Sequence, residues 1–329
     1  MSHVYIIAEA GVNHNGSREL ALKLIDAAAD AGVDAVKFQT FRADTLVSPD
    51  APKADYQKEN CGTAESQYQM LKRLELSEAD HEALRAHCAE RNIEFLSTPF
   101  DVSDIDYLRG FGISRMKIPS GSVTDYPYLR KINGCGLPVI LSTGMSTLDE
   151  VAAALDVLKD CKVSLLHCTT EYPCPFEAVN LRAMQTMRER FGLPVGYSDH
   201  TPGITIPVAA VAMGAEIIEK HFTLDRTMEG PDHKASVEPD ELKAMVRAIR
   251  NVEQSLGNGV KEPAEAERKN MAIARKSIIA KCAIRKGECF TEENLAVKRP
   301  GTGLSPMRWP ELVGKVCERD YEEGEVVGL

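Results

Sequence analysis

Short apolar runs alternate with longer amphipathic stretches from residue 4 to about residue 256. The short runs predict β-strands at 4–8, 33–38, 93–97, 115–118, 139–142, 163–167, 195–197 and 216–220. A stretch with helical periodicity follows each strand, at 19–31, 78–91, 102–110, 126–133, 148–159, 181–190, 204–213 and 239–256. Repeated strand–helix units predict an α/β fold with a parallel (β/α)8 TIM barrel, although an open doubly wound sheet would produce the same alternation.

Polar residues at the strand ends favour the barrel over the open sheet. They are Glu9, Lys37, Gln39, Ser97, Thr98, Lys117, Ser120, Ser142, His167, Thr170, Ser198, His200, Lys220 and His221. A barrel brings the carboxyl ends of all its strands to one face, where the active sites of this fold lie, whereas an open sheet would scatter them. We therefore expect residues 1–256 to form a catalytic barrel.

The pattern changes after residue 256. Residues 257–273 are polar and interrupted by Gly257, Gly259 and Pro263, which predicts a linker. Residues 274–329 contain short strand-like pieces and glycine-containing turns, which predict a small, mostly β domain. A domain of this size is near the lower limit for independent stability, so we expect it to pack on the barrel or on a partner subunit.

Composition excludes several classes of protein. The chain of 329 residues is 43% hydrophobic and 27% charged, as in ordinary globular proteins. A formal charge of −10 argues against nucleic acid as a partner, and no apolar run is long enough for a membrane helix. Nine cysteines without a CxxC pair, and the absence of a signal-peptide pattern, predict reduced thiols in a cytoplasmic protein.

His200 and His221 follow the last two predicted strands. Neighbouring strands lie about 4.8 Å apart, so two imidazoles at adjacent strand ends can share one divalent cation. Two ligands leave coordination positions open, which suits a catalytic metal. The alternative from position alone is a pair of hydrogen-bonded polar residues at the barrel rim.

Lys37 and Lys117 supply positive charge at the predicted strand ends of an acidic protein. Ser120-Gly121 and Ser142-Thr143-Gly144 follow their strands, and glycine lets backbone N–H groups approach a phosphate. Each motif alone could be a turn glycine with a capping hydroxyl. Their convergence on one face favours an anion site.

Other candidates have open alternatives. Glu9 can be a base, a residue that hydrogen-bonds to a metal ligand, or a charge at the barrel rim. Glu219 lies on the same strand face as His221, where it can hold a metal-bound water or line the barrel interior. Asp232 and Tyr172 can face a substrate. We expect His233 to be a solvated loop residue.

Several strings together resemble the sialic acid synthase family, which includes the legionaminate and pseudaminate synthases. They are IAEAGVNHNGS, DAVKFQTF, FLSTPFD, KIPSG, ILSTGM, LLHCTTEYP, GYSDHT, IEKHFTLDRTMEGPDH, ARKSIIA and KRPGTGLSP. The resemblance implies a barrel with a C-terminal antifreeze-like (SAF) domain in a domain-swapped homodimer. It also implies a transferase that joins phosphoenolpyruvate to an N-acetylated amino sugar. N-acetylneuraminate synthase acting on open-chain N-acetylmannosamine is our first reading, and N,N'-diacetyllegionaminate synthase acting on a 2,4-diacetamido sugar is the alternative.

The resemblance also implies roles for individual residues. His200 and His221 match manganese ligands, and magnesium or cobalt also suits two imidazoles. The phosphoenolpyruvate site is implied to comprise Lys37, Lys117, Ser120, Ser142, Thr170 and Ser198. Near the sugar, the resemblance places Gln39, Tyr172, Asp232 and Arg299, the last reaching from the small domain of the partner subunit. Glu9, Lys37 and Glu219 are the candidate catalytic residues.

Ser122 departs from the pattern, because the family commonly has glutamate after Ser-Gly. A hydroxyl is too weak a base to replace that carboxylate near neutral pH. We expect Glu9 to cover the step, or the enzyme to be slow or tuned to another sugar.

Two rival functions remain at this stage. A lysine-dependent aldolase on the same fold would form a Schiff base at Lys117 or Lys220, which requires a desolvated lysine with a lowered pKa. A non-catalytic carbohydrate- or ice-binding protein would use only the C-terminal domain, whose Lys281, Arg285 and Glu288 make its surface highly charged. The second rival leaves the polar strand ends unexplained.

Overall fold

The structure is a computed structural model that describes residues 3–62 and 64–328. Its first unit, residues 1–257, contains eight parallel strands. They are β1 (Tyr5–Gly11), β2 (Ala35–Thr40), β3 (Glu94–Pro99), β4 (Met116–Ile118), β5 (Val139–Ser142), β6 (Val163–Cys168), β7 (Val195–Asp199) and β8 (Ile217–His221). Each begins and ends within a few residues of its predicted position.

The first and last strands of the unit are neighbours, because β1 pairs in parallel with both β2 and β8. The hydrogen-bonded order is β3-β2-β1-β8-β7-β6-β5-β4, and the two outer strands of that order, β3 and β4, pack side by side. Contact between β3 and β4 closes the sheet, which confirms the predicted barrel and excludes an open sheet, in which these two strands would lie at opposite edges.

Helices surround the barrel and connect its strands. They are α1 (Arg18–Ala31), α2 (Ala43–Leu46), α3 (Asp55–Cys61), α4 (Gln67–Leu74), α5 (Glu78–Glu90), α6 (Val102–Phe111), α7 (Tyr126–Asn133), α8 (Leu148–Val157), α9 (Ala183–Phe191), α10 (Thr205–Ala212) and α11 (Pro239–Ser255). Side-chain hydrogen bonds cap the first turn of several helices. At the start of α8, the Thr147 hydroxyl accepts from the Glu150 backbone N–H, and the Glu150 carboxylate accepts from the Thr147 backbone N–H, which forms a capping box.

The interior of the barrel has an apolar layer below a chemically active one. The apolar layer consists of Ile7, Ala35, Leu96, Ile140, Leu166 and Ile217. Because side chains of a strand alternate between its two faces, the residue two positions later shares the same face. Those positions hold Glu9, Lys37, Thr98, Ser142, Cys168 and Glu219. The strand period therefore places these groups over a buried apolar floor.

The sequence pattern did not predict the three helices α2, α3 and α4 between β2 and α5. They are four to eight residues long, and such short helices contain too few turns for a helical period to stand out. Met70 and Leu74 of α4 are buried against Val12 and Phe41, which anchors this insertion at the carboxyl end of the barrel.

The second unit comprises residues 258–329. Strands β9 (Ser277–Ala280) and β10 (Leu295–Lys298) pair antiparallel over a core that includes Ile278, Phe290 and Tyr321. This confirms a small, mostly β C-terminal domain. The predicted linker differs from the structure, because Glu265–Ala274 forms a helix, α12. None of its side chains is buried, so it carries no apolar stripe that the sequence pattern could have revealed.

Within the described residues, we find no helix that combines the length and the apolar character needed to cross a membrane.

Candidate active site

A cavity of about 440 Å³ opens at the carboxyl ends of the barrel strands. Every candidate site residue that the sequence placed in the barrel lines it. These residues are Glu9, Lys37, Gln39, Lys117, Ser120, Ser142, Thr170, Tyr172, Ser198, His200, Glu219, His221 and Asp232. Closure of the sheet brings together residues more than 200 positions apart in the chain.

Two buried lysines flank the Glu219 carboxylate. Lys117 Nζ lies 3.6 Å from Glu219 Oε1, and Lys37 Nζ lies 3.7 Å from Glu219 Oε2. Lys117 donates to the Ser142 hydroxyl at 2.7 Å, and Ser198 donates to Glu219 at 2.8 Å. Burial opposes ionisation of Glu219, but the two ammonium groups hold its pKa below the usual range. Glu219 is therefore an ionised group that fixes the spacing of the two lysines.

The pKa values of the two lysines are shifted in opposite directions. Burial lowers the pKa of Lys117. Burial acts in the same direction on Lys37, but the carboxylates of Glu219 and Glu9 outweigh it and raise the pKa of Lys37. The expectation that both lysines sit in a simple phosphate environment is thus incomplete, because Lys117 has the desolvated character that a Schiff-base nucleophile needs.

Glu9 lies at an irregularity in β1. The register of β1 against β2 shifts between Glu9 and Gly11, as in a β-bulge, and such features often re-aim a side chain beside an active site. Gly11 adopts a φ of 51°, and a Cβ there would lie 3.1 Å from Glu9 Oε1 and 3.3 Å from Gln39 Nε2. Glycine therefore leaves room for the 3.2 Å hydrogen bond from Gln39 to Glu9.

Glu9 also forms an ion pair with Lys37. Burial nevertheless raises the pKa of Glu9, with a smaller contribution from the nearby negative charge of Glu219. A carboxyl group with a raised pKa can take up and release a proton closer to neutral pH, which suits an acid or base.

Hydroxyl groups and one backbone N–H converge beside the lysines. The Gly144 N–H donates to Ser120 Oγ at 2.9 Å, and a Cβ on Gly144 would lie only 2.3 Å from Thr170 Oγ1. Thr170 Oγ1 is buried and has no hydrogen-bond partner among the described residues. Buried hydroxyls usually have a partner, so this one is a candidate contact for a ligand oxygen.

His200 and His221 lie together at the ends of β7 and β8, with ring centroids 5.3 Å apart. His200 Nδ1 donates to the Thr169 carbonyl at 2.7 Å, which leaves the lone pair on Nε2. His221 is buried, its Nδ1 has no hydrogen-bond partner within the described residues, and burial lowers its pKa well below the usual value. Burial opposes protonation of His200, but the hydrogen bond and charge of Cys168 outweigh it and raise the pKa of His200. A metal therefore competes with a proton at His200, because the neutral imidazole is the form that binds metals.

These two rings fit a divalent cation with open positions. The described residues contain no cluster of three or more His, Cys, Asp or Glu side chains arranged to hold a metal ion, so a closed structural site is not built here. Two imidazoles, one of which has an orphaned buried Nδ1, match the donor set of a catalytic site completed by substrate oxygens and water.

Tyr172 forms one wall of the histidine site. Its ring packs against His200 at a centroid distance of 4.1 Å, tilted by 41°, and meets His221 edge-on at 5.6 Å. Asp232, from the loop after β8, is also buried in this cavity, and burial together with the charge of Glu9 raises its pKa to about 7. Asp232 can therefore donate as well as accept a hydrogen bond near neutral pH.

Three of the polar strand-end residues do not line the cavity, since they lie on the opposite face of their strands. Ser97 bonds to Thr40, the His167 ring bonds to the Val179 carbonyl, and Lys220 pairs with Asp199. The prediction that their side chains join the others was wrong, because a one-residue offset reverses the direction of a strand side chain.

His233 was also predicted wrongly. It is fully buried, its Nδ1 lies 2.7 Å from Thr223 Oγ1, and its Nε2 lies 3.2 Å from Asn15 Oδ1. It joins the loop after β8 to the turn after β1, which a local sequence pattern does not reveal.

Several cavity residues were not singled out from the sequence. They are Cys168, Tyr56, Gln57, Gln67 and Leu71. Cys168 follows from strand alternation, whereas the other four belong to the unpredicted helices α3 and α4.

Ser122 ends a short 3-10 turn at 120–122 and does not line the cavity, although Gly121 does. Arg299 belongs to the second unit, where its Nε donates to the Ala274 carbonyl at 3.1 Å. Its predicted position at a partner's sugar site stays a prediction.

Comparisons with known proteins agree with this fold and site. The NeuB family matches residues 24–261, and the SAF domain matches residues 275–328. The N,N'-diacetyllegionaminic acid synthase of Campylobacter jejuni is 52% identical and covers 99% of both chains. The Legionella pneumophila protein of the same name is 50% identical and covers 97% of this chain and 92% of its own. The crystal structure of N-acetylneuraminic acid synthetase from Leptospira borgpetersenii superposes with a TM-score of 0.73 at 38% identity, over 82% of this chain and 90% of its own.

A barrel with a polar cavity at its carboxyl face defines a TIM-barrel enzyme. The chain belongs to the NeuB family, with a C-terminal SAF domain. This confirms the resemblance and the enzyme class it implied, a nonulosonate synthase that forms a carbon–carbon bond. It also excludes the ice-binding reading, which assigned no role to the barrel.

Proposed function

We propose that this enzyme condenses phosphoenolpyruvate with an open-chain 2,4-diacetamido sugar to form an N,N'-diacetyllegionaminate-type product. The observation that carries the proposal is the single cavity in which Lys37, Lys117, His200 and His221 meet. Relatives at 52% and 50% identity are named for N,N'-diacetyllegionaminic acid, which favours the diacetamido alternative over N-acetylmannosamine, our first choice from the sequence.

The lysine side of the cavity suits the phosphate and carboxylate of phosphoenolpyruvate. Lys37 and Lys117 supply the cationic donors, with hydroxyls of Ser120, Ser142, Thr170 and Ser198 around them. The orphaned Thr170 Oγ1 gains a partner when such an anion binds. The arrival of negative charge also favours the protonated form of Glu9, whose pKa burial already raises.

The histidine side suits the sugar aldehyde. A divalent cation held by His200 and His221 would supply Lewis-acid polarisation of a carbonyl oxygen. Tyr172 packs on His200 and Asp232 also lines the cavity, so both can hydrogen-bond sugar hydroxyls. Binding both substrates in one cavity turns a bimolecular reaction into an effectively unimolecular one.

The bond changes then follow from the two substrates. The methylene carbon of phosphoenolpyruvate forms a bond to the aldehyde carbon, and the aldehyde oxygen becomes a hydroxyl. Water adds to the phosphate-bearing carbon, and the C–O bond to phosphate breaks, releasing inorganic phosphate. Glu9, held by Gln39 and Lys37, is the residue that we assign to proton transfer in these steps. Glu219 keeps the two lysines in place.

We further propose a domain-swapped homodimer in which Arg299 of the SAF domain completes the sugar site of the partner subunit. Arg299 is exposed within its own unit, so its guanidinium group is available to a second chain. Mass measurement by light scattering should give a dimer, and Arg299→Ala should raise KM for the sugar. A monomer with full activity would contradict this.

The test of the proposed function is phosphate release from phosphoenolpyruvate with a panel of amino sugars and manganese. We expect the diacetamido sugar to give the highest kcat/KM, and chelation to abolish turnover until manganese, magnesium or cobalt is added. The variant His221→Gln should lose roughly a thousandfold in kcat, because Lewis-acid catalysis is worth several kcal/mol. Full activity in chelator, or release of phosphate only with N-acetylmannosamine, would contradict the proposal.

A further inference from the structure

The active-site cavity has two chemically different walls. The wall formed by the strand ends carries the charged groups Glu9, Lys37, Lys117 and Glu219. The opposite wall comes from residues 46–74, the insertion that contains α3 and α4, and we call it the helical wall. None of the described residues of that segment that line the cavity is charged.

The apolar part of the helical wall is open to the cavity. Leu46, Val47 and Leu71 line the cavity and remain partly exposed, and Leu46 and Leu71 also pack against the cluster that contains Val12. Met70 and Leu74 line the cavity too, but they are buried in that cluster. The buried pair accounts for the attachment of the helices to the barrel. Leu46, Val47 and Leu71 therefore keep apolar surface that a ligand can contact.

An amide network supplies the polar part of the helical wall. Gln57 Oε1 accepts from the Ala54 N–H at 3.0 Å and from Gln67 Nε2 at 3.4 Å, while Gln57 Nε2 donates to the Tyr56 hydroxyl at 3.3 Å. Gln57 is thus committed to its neighbours. Gln67 Oε1 accepts no hydrogen bond from any described residue, so it is the amide acceptor left for a ligand.

The helical wall is tied to the histidine pair. The Tyr56 ring packs against Tyr172 with centroids 5.0 Å apart, and Tyr172 packs against His200. Asn60 of α3 donates to the Pro231 carbonyl at 2.6 Å, directly before Asp232. A sugar whose aldehyde lies at the histidines therefore extends along a wall that is held in a defined position.

We propose that the helical wall binds the second acetamido group of the sugar and so determines which amino sugar the enzyme accepts; this inference rests on the proposed function. A diacetamido sugar has two acetamido groups where N-acetylmannosamine has one. An added acetamido group presents one N–H donor, one carbonyl acceptor and one methyl group. Gln67 Oε1 can accept from the N–H, and Leu46, Val47 and Leu71 can cover the methyl group.

Two cavity variants and one control test this assignment. Gln67→Leu removes the acceptor, and we expect the ratio of kcat/KM for the diacetamido sugar to that for N-acetylmannosamine to fall about tenfold, the usual effect of leaving one buried polar group unpaired. Leu71→Gln replaces apolar surface, and the same ratio should fall about fivefold. Leu148→Gln changes an exposed leucine of α8 that does not line the cavity, so the ratio should stay at the wild-type value.

Thermal unfolding of each variant separates selectivity from loss of folding, and the ratio of two substrates on one sample is independent of the active fraction. One outcome is a wild type that prefers the diacetamido sugar while both cavity variants keep its ratio of kcat/KM values within about twofold. That result would overturn this inference and leave the proposed function standing. A wild type that prefers N-acetylmannosamine would overturn both.

Discussion

Lys220 Nζ donates to Asp199 Oδ2 at 2.6 Å, and both side chains are completely buried on the face of β7 and β8 opposite the cavity. Each residue directly precedes one of the two histidines in the chain. Asp199 also accepts from the Thr201 N–H at 3.0 Å and from its hydroxyl at 3.1 Å. The ion pair therefore joins the ends of the two strands that carry His200 and His221.

Replacing Lys220 with methionine should destabilise the fold and weaken metal binding. The change leaves the Asp199 carboxylate buried without its cation, which costs about 3–5 kcal/mol in free energy of unfolding. Urea unfolding measures that loss. Manganese titration should give a dissociation constant raised by about tenfold, since a group that orients metal ligands contributes on that scale. The double variant Asp199→Asn/Lys220→Met should regain stability, and an unchanged manganese affinity in Lys220→Met would contradict the positioning role.

Lys117→Met should lower kcat/KM for phosphoenolpyruvate, because we propose that Lys117 binds this substrate and does not form a covalent intermediate with it. Loss of one charge-assisted hydrogen bond of about 1.5–3 kcal/mol predicts a fall of roughly tenfold to a hundredfold in kcat/KM for phosphoenolpyruvate. Initial-rate kinetics with phosphate detection measures it. Because burial lowers the pKa of Lys117, borohydride treatment with substrate is the necessary control. A borohydride-trapped adduct at Lys117 would favour the Schiff-base aldolase instead.

Ser122→Glu restores the residue that the family commonly has after Ser-Gly, and we expect it to raise kcat. A carboxylate can exchange protons near neutral pH, which the serine hydroxyl does not do. Ser122 itself does not line the cavity, so only a longer side chain can reach the reacting carbons from this position. Ser122→Gln, of equal length without the charge, is the matched control. An unchanged or lower kcat in Ser122→Glu would defeat this prediction.

Asp232 should make stability fall as pH rises towards neutrality. Burial raises its pKa to about 7 in the folded protein, above the ordinary value of about 3.9 in the unfolded chain, so the folded state binds the proton more tightly. The stabilisation is present below the unfolded pKa and is lost as pH rises through the folded pKa. Between about pH 5 and pH 8, the free energy of unfolding should fall by roughly 2–3 kcal/mol from this group.

The variant Asp232→Asn has no ionisable group at this position. The difference in free energy of unfolding between wild type and variant, followed against pH, therefore reports the contribution of Asp232 alone. Chemical denaturation of both proteins at each pH, without metal or substrate, measures it. A free energy of unfolding that varies with pH identically in the two proteins would contradict the raised pKa.

Periodicity along the chain determined the barrel and most of the candidate site. The two-residue strand period places Glu9, Lys37 and Glu219 above Ile7, Ala35 and Ile217, because side chains of a strand alternate between its faces. Carboxyl ends of parallel strands share one edge, so the sequence sufficed to predict that the two histidines and two lysines meet. The family resemblance added roles to these positions.

Only the tertiary structure decided the remaining features. Tyr56, Gln67 and Leu71 belong to helices of seven or eight residues, whose position over the cavity comes from burial of Met70 and Leu74 against the barrel. His233 is buried and contacts Asn15, which lies at the opposite end of the barrel sequence. Desolvation lowers the pKa of Lys117 from its ordinary value. Burial and charge coupling depend on groups that are distant in sequence, and the local pattern of residues contains no record of those distances.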